Sequence, residues 1–98
     1  MIDTKKLQNR LTRCDKFTWL PTLRVNSDGW LNFLDPMTLQ TLLSLVRFAY
    51  RNPRVCVEFR DARWVVYTDS HGFDTISRDF TEAGALVRAL EKAHGEIY

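Results

Sequence analysis

Hydrophobic and polar residues alternate along three short segments in the second half of the chain. These segments are residues 54–60, 63–69 and 73–79, and a period of two is typical of strands that bury one face. In residues 81–93 the apolar positions are instead three and four residues apart, which predicts an amphipathic helix. Segment 63–69 is apolar on both faces, so we predict that it is the central strand of an antiparallel sheet.

The beginning of the chain predicts a helix with a narrow apolar face. Asp3 or Thr4 can cap this helix, because a short side-chain oxygen accepts hydrogen bonds from the unpaired N–H groups of a first turn. Leu7, Leu11 and Cys14 then follow at intervals of four and three residues. So narrow a stripe is expected to pack at the edge of the domain or to dock on a partner.

A turn and a second helix are predicted next. Residues 26–29 form a turn-prone cluster between two alternating segments, which predicts a β-hairpin from about residue 22 to residue 34. Asp35 can cap a helix that begins at Pro36, and Asn52 is expected to take a left-handed conformation at its end. The broad apolar arc of this helix predicts a central helix covered on more than one side or, alternatively, a patch exposed to another chain.

These elements predict one α+β domain of 98 residues, in the order α-ββ-α-βββ-α. Its small antiparallel sheet, a hairpin plus a two- or three-stranded meander, would be packed with three helices. A hydrophobic content of 45% and a charged content of 27% are ordinary for a globular domain. No apolar run approaches the ~18 residues of a membrane span. The first residues lack the apolar segment of a secretory signal, so we expect a cytoplasmic protein.

The residues that could carry chemistry form no recognisable motif. Cys14 and Cys56 are far apart and belong to no C-x-x-C pair, so we expect reduced thiols rather than a zinc site. His71 lies near Asp69 and Asp74 in a predicted turn, where a carboxylate could tune an imidazole for proton transfer, but a solvated turn histidine is the favoured interpretation. The sequence contains no G-x-S-x-G, no H-E-x-x-H and no phosphate-binding glycine loop. We therefore expect no catalytic residues, no metal, no cofactor and no enzymatic activity.

Positive charge is concentrated in the first half of the chain. Residues 1–53 contain eight Lys and Arg against four Asp and Glu, whereas residues 54–98 contain six against eight. The net charge of +2 is smaller than that of a dedicated nucleic-acid binder. Contact with phosphates is still an alternative for the cations of the first helix, which are Lys5, Lys6, Arg10, Arg13 and Lys16.

Aromatic and arginine side chains suggest surfaces for a partner. Trp, Tyr and Arg are the types that most often anchor protein interfaces. Trp30 and Trp64 are candidates for the core, whereas Trp19 lies beside a proline in a connecting segment and is expected to be partly exposed. The candidate partner-binding residues are the five cations of the first helix and Trp19, Arg60, Arg63 and Tyr67.

Residues 64–86 contain several short motifs in a characteristic order. Trp-Val-Val-Tyr is followed by Gly-Phe, Asp-Phe and Thr-Glu-Ala. This order resembles that of small proteins from bacteriophages and mobile elements, among them the compact α+β anti-CRISPR inhibitors. The resemblance implies steric blocking of a protein or an RNA–protein complex in a bacterial host cell. Some anti-CRISPR proteins imitate DNA with an acidic surface, a mode with which the basic net charge of this chain disagrees.

The sequence and the resemblance together predict a non-catalytic protein-binding module that inhibits a host defence complex. Two alternatives remain open. One is a nucleic-acid-binding accessory protein that uses the basic first helix. The other is a homo-oligomeric structural protein that uses the apolar face of the helix at residues 36–51. The chain would act as a monomer or a homodimer.

Overall fold

The computed structural model describes residues 3–14, 30–69 and 74–95. These residues form an α+β domain with a three-stranded antiparallel sheet, the fold class that the sequence predicts. Its elements are α1 (Thr4–Cys14), α2 (Pro36–Tyr50), β1 (Val55–Arg60), β2 (Arg63–Thr68), β3 (Asp74–Asp79) and α3 (Glu82–Gly95).

The sheet has the order β1-β2-β3, so β2 is the central strand, as predicted. Arg60 pairs with Arg63 across the tight turn between β1 and β2. Asp61 and Ala62 form this turn with φ values of 54° and 64°, the positive-φ geometry that matches the twist of two-residue hairpins. Val65 and Val66, on opposite faces of β2, are both buried.

The central helix of the domain is α3, not α2. It contacts every other helix and strand named above, and its buried face consists mainly of small residues, Ala83, Gly84, Ala85 and Ala89. Small side chains let neighbouring elements approach a helix from several sides. The prediction that α2 is central is therefore wrong. Part of its apolar arc is exposed, because Phe48 on α2 is 82% exposed.

The first helix packs against α3 with its narrow apolar stripe. Leu7, Leu11 and Cys14 are all buried, and the Lys6 amide donates to Asp3 Oδ1 at 3.1 Å, which confirms the predicted cap. Among the described elements α3 is the one that α1 contacts. The prediction of a helix at the edge of the domain is confirmed.

The predicted hairpin is wrong where the structure describes it. Residues 22–29 lie outside the described residues. In residues 30–34 Leu31 alone forms an isolated β-bridge, and no strand is present. Asn32 Oδ1 accepts a hydrogen bond from the Leu34 amide at 3.1 Å, and the Asn32 carbonyl accepts one from the Asp35 amide at 3.1 Å. These bonds make a turn rather than a strand, because an Asn side chain can satisfy the backbone two residues further on.

The end of α2 also differs from the prediction by one residue. Arg51, not Asn52, takes the left-handed conformation, with φ 52°. The Asn52 amide donates to the Arg47 carbonyl at 2.9 Å, and the Arg51 amide donates to the Phe48 carbonyl at 3.1 Å. This pair of bonds is a Schellman motif, which satisfies the last carbonyls of a helix and needs one left-handed residue.

Candidate binding surfaces

An apolar groove lies where the first turns of α2 and α3 meet the Trp64 end of the sheet. It consists of two depressions with volumes of about 540 and 380 Å³, which share Leu39 and Glu82 in their walls. We call this surface the end groove. Its apolar walls come from Phe33, Leu34, Leu39, Leu43, Trp64 and Phe80.

Two exposed apolar side chains of the end groove each precede a helix cap. Asp35 caps α2 by accepting from the Met37 amide at 2.8 Å, and Thr81 caps α3 by accepting from the Gly84 amide at 2.9 Å. The residues immediately before them, Leu34 and Phe80, are 76% and 71% exposed. An apolar residue before a cap often packs onto its own helix as a hydrophobic staple. Here both side chains remain largely open to solvent.

Trp64 and Phe33 form the deeper part of the end groove. Phe33 is buried, and Trp64 is half-buried with its ring edge-on to that of Phe59 at a centroid distance of 5.5 Å. The prediction of Trp64 as a core residue is therefore correct in part, because the side chain packs against the buried core but is only half-buried. It also lines the larger depression of the end groove.

Glu82 is the charged side chain of the end groove, because every other residue lining its two depressions is apolar or neutral. Desolvation in these apolar surroundings raises the pKa of Glu82 above its ordinary value of 4.5. Within the described residues Glu82 forms no ion pair. The groove therefore combines apolar walls with a single, partly desolvated negative charge.

A second surface is the face of the sheet opposite the helices, which we call the outer sheet face. Arg60 and Arg63 pair across the hairpin turn, Tyr67 lies further along the same face of β2, and Arg78 lies beside Val65. Arg60 forms an ion pair with Glu58 at 2.7 Å. Desolvation and then Glu58 raise the pKa of Tyr67.

The structure brings together three of the predicted partner-binding residues, Arg60, Arg63 and Tyr67, on the outer sheet face. Arg63 also connects this face with the end groove, because its guanidinium lies 4.7 Å from the ring centroid of Phe80. Arg63 thus borders the end groove, and the outer sheet face adjoins the groove at this residue.

The cations of α1 lie on the helix side of the sheet, away from those arginines. Arg10 forms two hydrogen bonds with Glu91, at 2.9 and 2.5 Å, and this interaction raises the pKa of Arg10. Lys5 Nζ lies 5.5 Å from the ring centroid of Trp30. Lys6 and Arg13 are exposed, whereas Lys16 and Trp19 lie outside the described residues. The described members of the predicted binding set therefore divide between two separate surfaces.

Sequence reasoning missed the residues that make the end groove, above all Leu34, Phe80 and Glu82. One signal was present in the sequence, namely a large apolar residue directly before each of two helix caps. Such a residue normally folds back onto its helix, so the pattern by itself does not indicate a groove.

No metal-binding group of three or more His, Cys, Asp or Glu side chains occurs among the described residues. Cys14 is buried and Cys56 is half-buried, and both are reduced thiols. His71 lies outside the described residues. In the described parts of the chain, no helix is long and apolar enough to cross a membrane.

Comparisons with known proteins give no family for this fold and these surfaces. No protein-family model, curated protein or solved structure matches the chain.

Proposed function

We propose that this protein is a non-catalytic binding module that takes a segment of a partner protein into its end groove and thereby covers a functional surface of that partner. The observation that supports the proposal is the pair of exposed apolar side chains, Leu34 and Phe80, beside a concave apolar surface. Large apolar side chains exposed around a groove are typical of interaction sites.

The expected free energies of side-chain burial and of ion pairing favour the end groove over the outer sheet face as the anchor. Full burial of a Leu or Phe side chain contributes about 1.5–3 kcal/mol. A solvent-exposed ion pair contributes about 0.2–1 kcal/mol, and on the outer sheet face Arg60 already has an ion-pair partner in Glu58. We propose that the outer sheet face forms the rim of the interface and affects selectivity more than affinity.

The biological role that we propose is inhibition of a host defence complex in the cytoplasm of a bacterial cell. This part of the proposal rests on the resemblance of residues 64–86 to anti-CRISPR inhibitors. The mechanism is steric, because occupation of the partner's surface by an inert domain needs no chemistry from this chain.

Three immobilised versions of the full chain test the proposal in bacterial lysate. They are the wild type, a double variant with Leu34→Ser and Phe80→Ser, and a control with Phe48→Ser, which removes another exposed aromatic side chain. We expect a partner that the wild type and the control retain and that the double variant loses at least about tenfold, since truncating an anchoring side chain costs about 2 kcal/mol or more.

The captured partner is then purified and assayed alone and in the complex. We expect its activity to fall when the wild-type chain is bound and to be unaffected by the double variant. Equal retention on all three versions contradicts the end groove as the docking surface. Full activity in the saturated complex contradicts occlusion.

Nucleic-acid binding is a second candidate function, and the outer sheet face is the surface that favours it. Arg60 and Arg78 flank a pit of about 50 Å³ that is also lined by Asp61 and Val65. Arg60, like Arg10 of α1, has an ion-pair partner within the protein. Arg78 and Arg63 are therefore the cations that favour this candidate. Phosphate contacts make affinity fall steeply with salt. Fluorescence anisotropy with single-stranded RNA or DNA tests this candidate, and binding that is absent or independent of salt rejects it.

Self-association through α2 is a third candidate, and the exposure of Phe48 favours it. Light scattering tests it directly. A dimer that dissociates on Phe48→Ser supports this candidate, and a monomer at high concentration rejects it.

A further inference from the structure

We infer that the end groove selects a basic amphipathic segment of its partner protein, one in which a Lys or Arg side chain lies between two large apolar side chains on the same face. The apolar side chains would fill the two depressions, and the cation would bind Glu82 between them. This inference rests on the proposed function and specifies the chemistry of the partner.

The shape of the end groove favours a segment of a protein over a small molecule. Its two depressions adjoin along Leu39 and Glu82, so the surface is elongated. Leu34 and Phe80 lie at its edge with most of their surface in solvent. Both side chains line the larger depression, whereas Leu43 lines the smaller one. An occupant that covers all three must span both depressions, as a peptide segment does and a small molecule held inside one depression does not.

The charge of the end groove favours a cation at the centre of that segment. Glu82 is shared by both depressions and is the charged side chain that lines each of them. A carboxylate among apolar groups has lost hydration, and an opposite charge restores favourable interactions that water no longer supplies. An acidic segment or a nucleic-acid phosphate would instead meet this carboxylate with a like charge.

The cations near the end groove do not neutralise Glu82. Arg63 stacks on the ring of Phe80 at the rim and does not line either depression. Arg88 is 3.8 Å from Asp79 Oδ2 and lies outside both linings. Glu82 is thus available to a side chain of the partner.

A peptide-display library of random sequence tests the inference with the full chain as bait. Selection against the wild type, with removal of peptides that also bind the Leu34→Ser, Phe80→Ser double variant, recovers ligands of the end groove. We expect the recovered peptides to carry Lys or Arg between two large apolar residues, with the spacing of one face of a helix or a strand.

Synthetic copies of these peptides are then titrated against two matched variants by calorimetry. Glu82→Gln should weaken binding about tenfold or more, whereas Asp74→Asn, which removes a carboxylate from the opposite end of β3, should leave it unchanged. Glu82→Lys should reverse the preference, so that a peptide with Glu in place of its central cation binds better than the original. Urea unfolding of each variant verifies that it is folded.

Several outcomes overturn the inference. Recovered peptides without a central cation, or equal affinity for the wild type and Glu82→Gln, would falsify it and leave a protein-binding role for the end groove intact. Binding of tetraethylammonium ion as tight as that of the peptides would show a site for small cations instead. A library without any groove-dependent peptide also rejects the inference, whereas the lysate capture decides the proposed function independently.

Discussion

Gly84 is a position in α3 where a methyl group has no room. A Cβ atom built there would lie 2.7 Å from Thr81 Oγ1 and 2.8 Å from the carboxyl carbon of Asp79. Thr81 Oγ1 also accepts the hydrogen bond from the Gly84 amide that caps the helix. The missing side chain therefore leaves room for the side chains of Thr81 and Asp79 against the first turn of α3.

We expect Gly84→Ala to destabilise the protein although alanine is the better helix former. Overpacking costs about 1–3 kcal/mol and displacement of the cap about 1 kcal/mol, against a gain of about 1 kcal/mol in helix propensity. The net loss of about 1–3 kcal/mol is measured by urea unfolding. Ser44→Ala on the exposed side of α2 is the control and should change stability by no more than about 0.5 kcal/mol. An increase in stability on Gly84→Ala would contradict the close packing.

Glu82 gives a prediction for the dependence of stability on pH. Its pKa is raised in the folded protein above the value of 4.5, so the unfolded chain ionises first as the pH rises. This residue therefore makes stability fall as the pH increases through the interval above 4.5, until the folded state is ionised as well.

In Glu82→Gln this fall should be absent. Both proteins are unfolded with urea from below pH 4.5 to neutral pH. The free energy of unfolding of the variant, relative to that of the wild type, should increase as the pH rises. Asp74→Asn removes a carboxylate far from the end groove and controls for the change in net charge. A difference that does not vary with pH would argue against desolvation of Glu82.

The three helices differ in how much of the core they supply. Leu86, Val87 and Leu90 of α3 are fully or almost fully buried, and the Ser77 hydroxyl of β3 donates to the Ala85 carbonyl at 2.7 Å. The larger apolar side chains of α2 include Phe48, which lies mostly in solvent. The apolar side chains of α2 are thus of two kinds, buried ones that hold the fold together and exposed ones that do not.

We expect Leu86→Ala to cost about 2–5 kcal/mol, because it removes buried methyl groups and leaves a cavity. Phe48→Ala removes a larger side chain from the surface and should cost no more than about 0.5 kcal/mol. Both changes in the free energy of unfolding are measured by urea unfolding, with one slope against urea concentration used for the two variants. Comparable losses for the two variants would mean that Phe48 is packed into the core and is not exposed.

The described part of the domain consists of a sheet and three helices, and α1 joins the core through α3 alone among the described elements. Among the described elements α1 contacts α3, through its three buried side chains and the Arg10–Glu91 ion pair. Elements with few buried contacts open at lower free energy than the rest of a domain.

Hydrogen exchange should therefore divide the molecule into two parts. We expect the amides of α1, such as that of Leu11, to exchange through a local opening. The free energy of this opening should be at least about 1 kcal/mol lower than the free energy of the opening that exposes the amide of Leu90 in α3. Glu91→Gln should weaken the protection of α1 and leave that of β2 unchanged. Equal opening free energies for Leu11 and Leu90 would show that the domain unfolds as one unit.

The strands and caps illustrate what can be predicted from local patterns. Alternation along residues 54–60, 63–69 and 73–79 predicts each strand to within one residue of its ends, because side-chain direction in a strand depends only on position in the chain. Asp35 and Pro36 predict the start of α2 because a helix cap also depends only on residues that are close in the chain. The prediction for residues 32–34 is wrong because hydrogen bonds to the side chain and the carbonyl of Asn32 make a turn there.

Periodicity and capping chemistry act between near neighbours in the chain, and for this reason they predict the helices and the meander. The end groove arises differently. Leu34, Trp64 and Phe80 belong to distant parts of the chain, and they meet because the small residues of α3 let it pack between the sheet and the other two helices. Which apolar residues remain in solvent, and which carboxylate they surround, depends on that packing and on no local pattern.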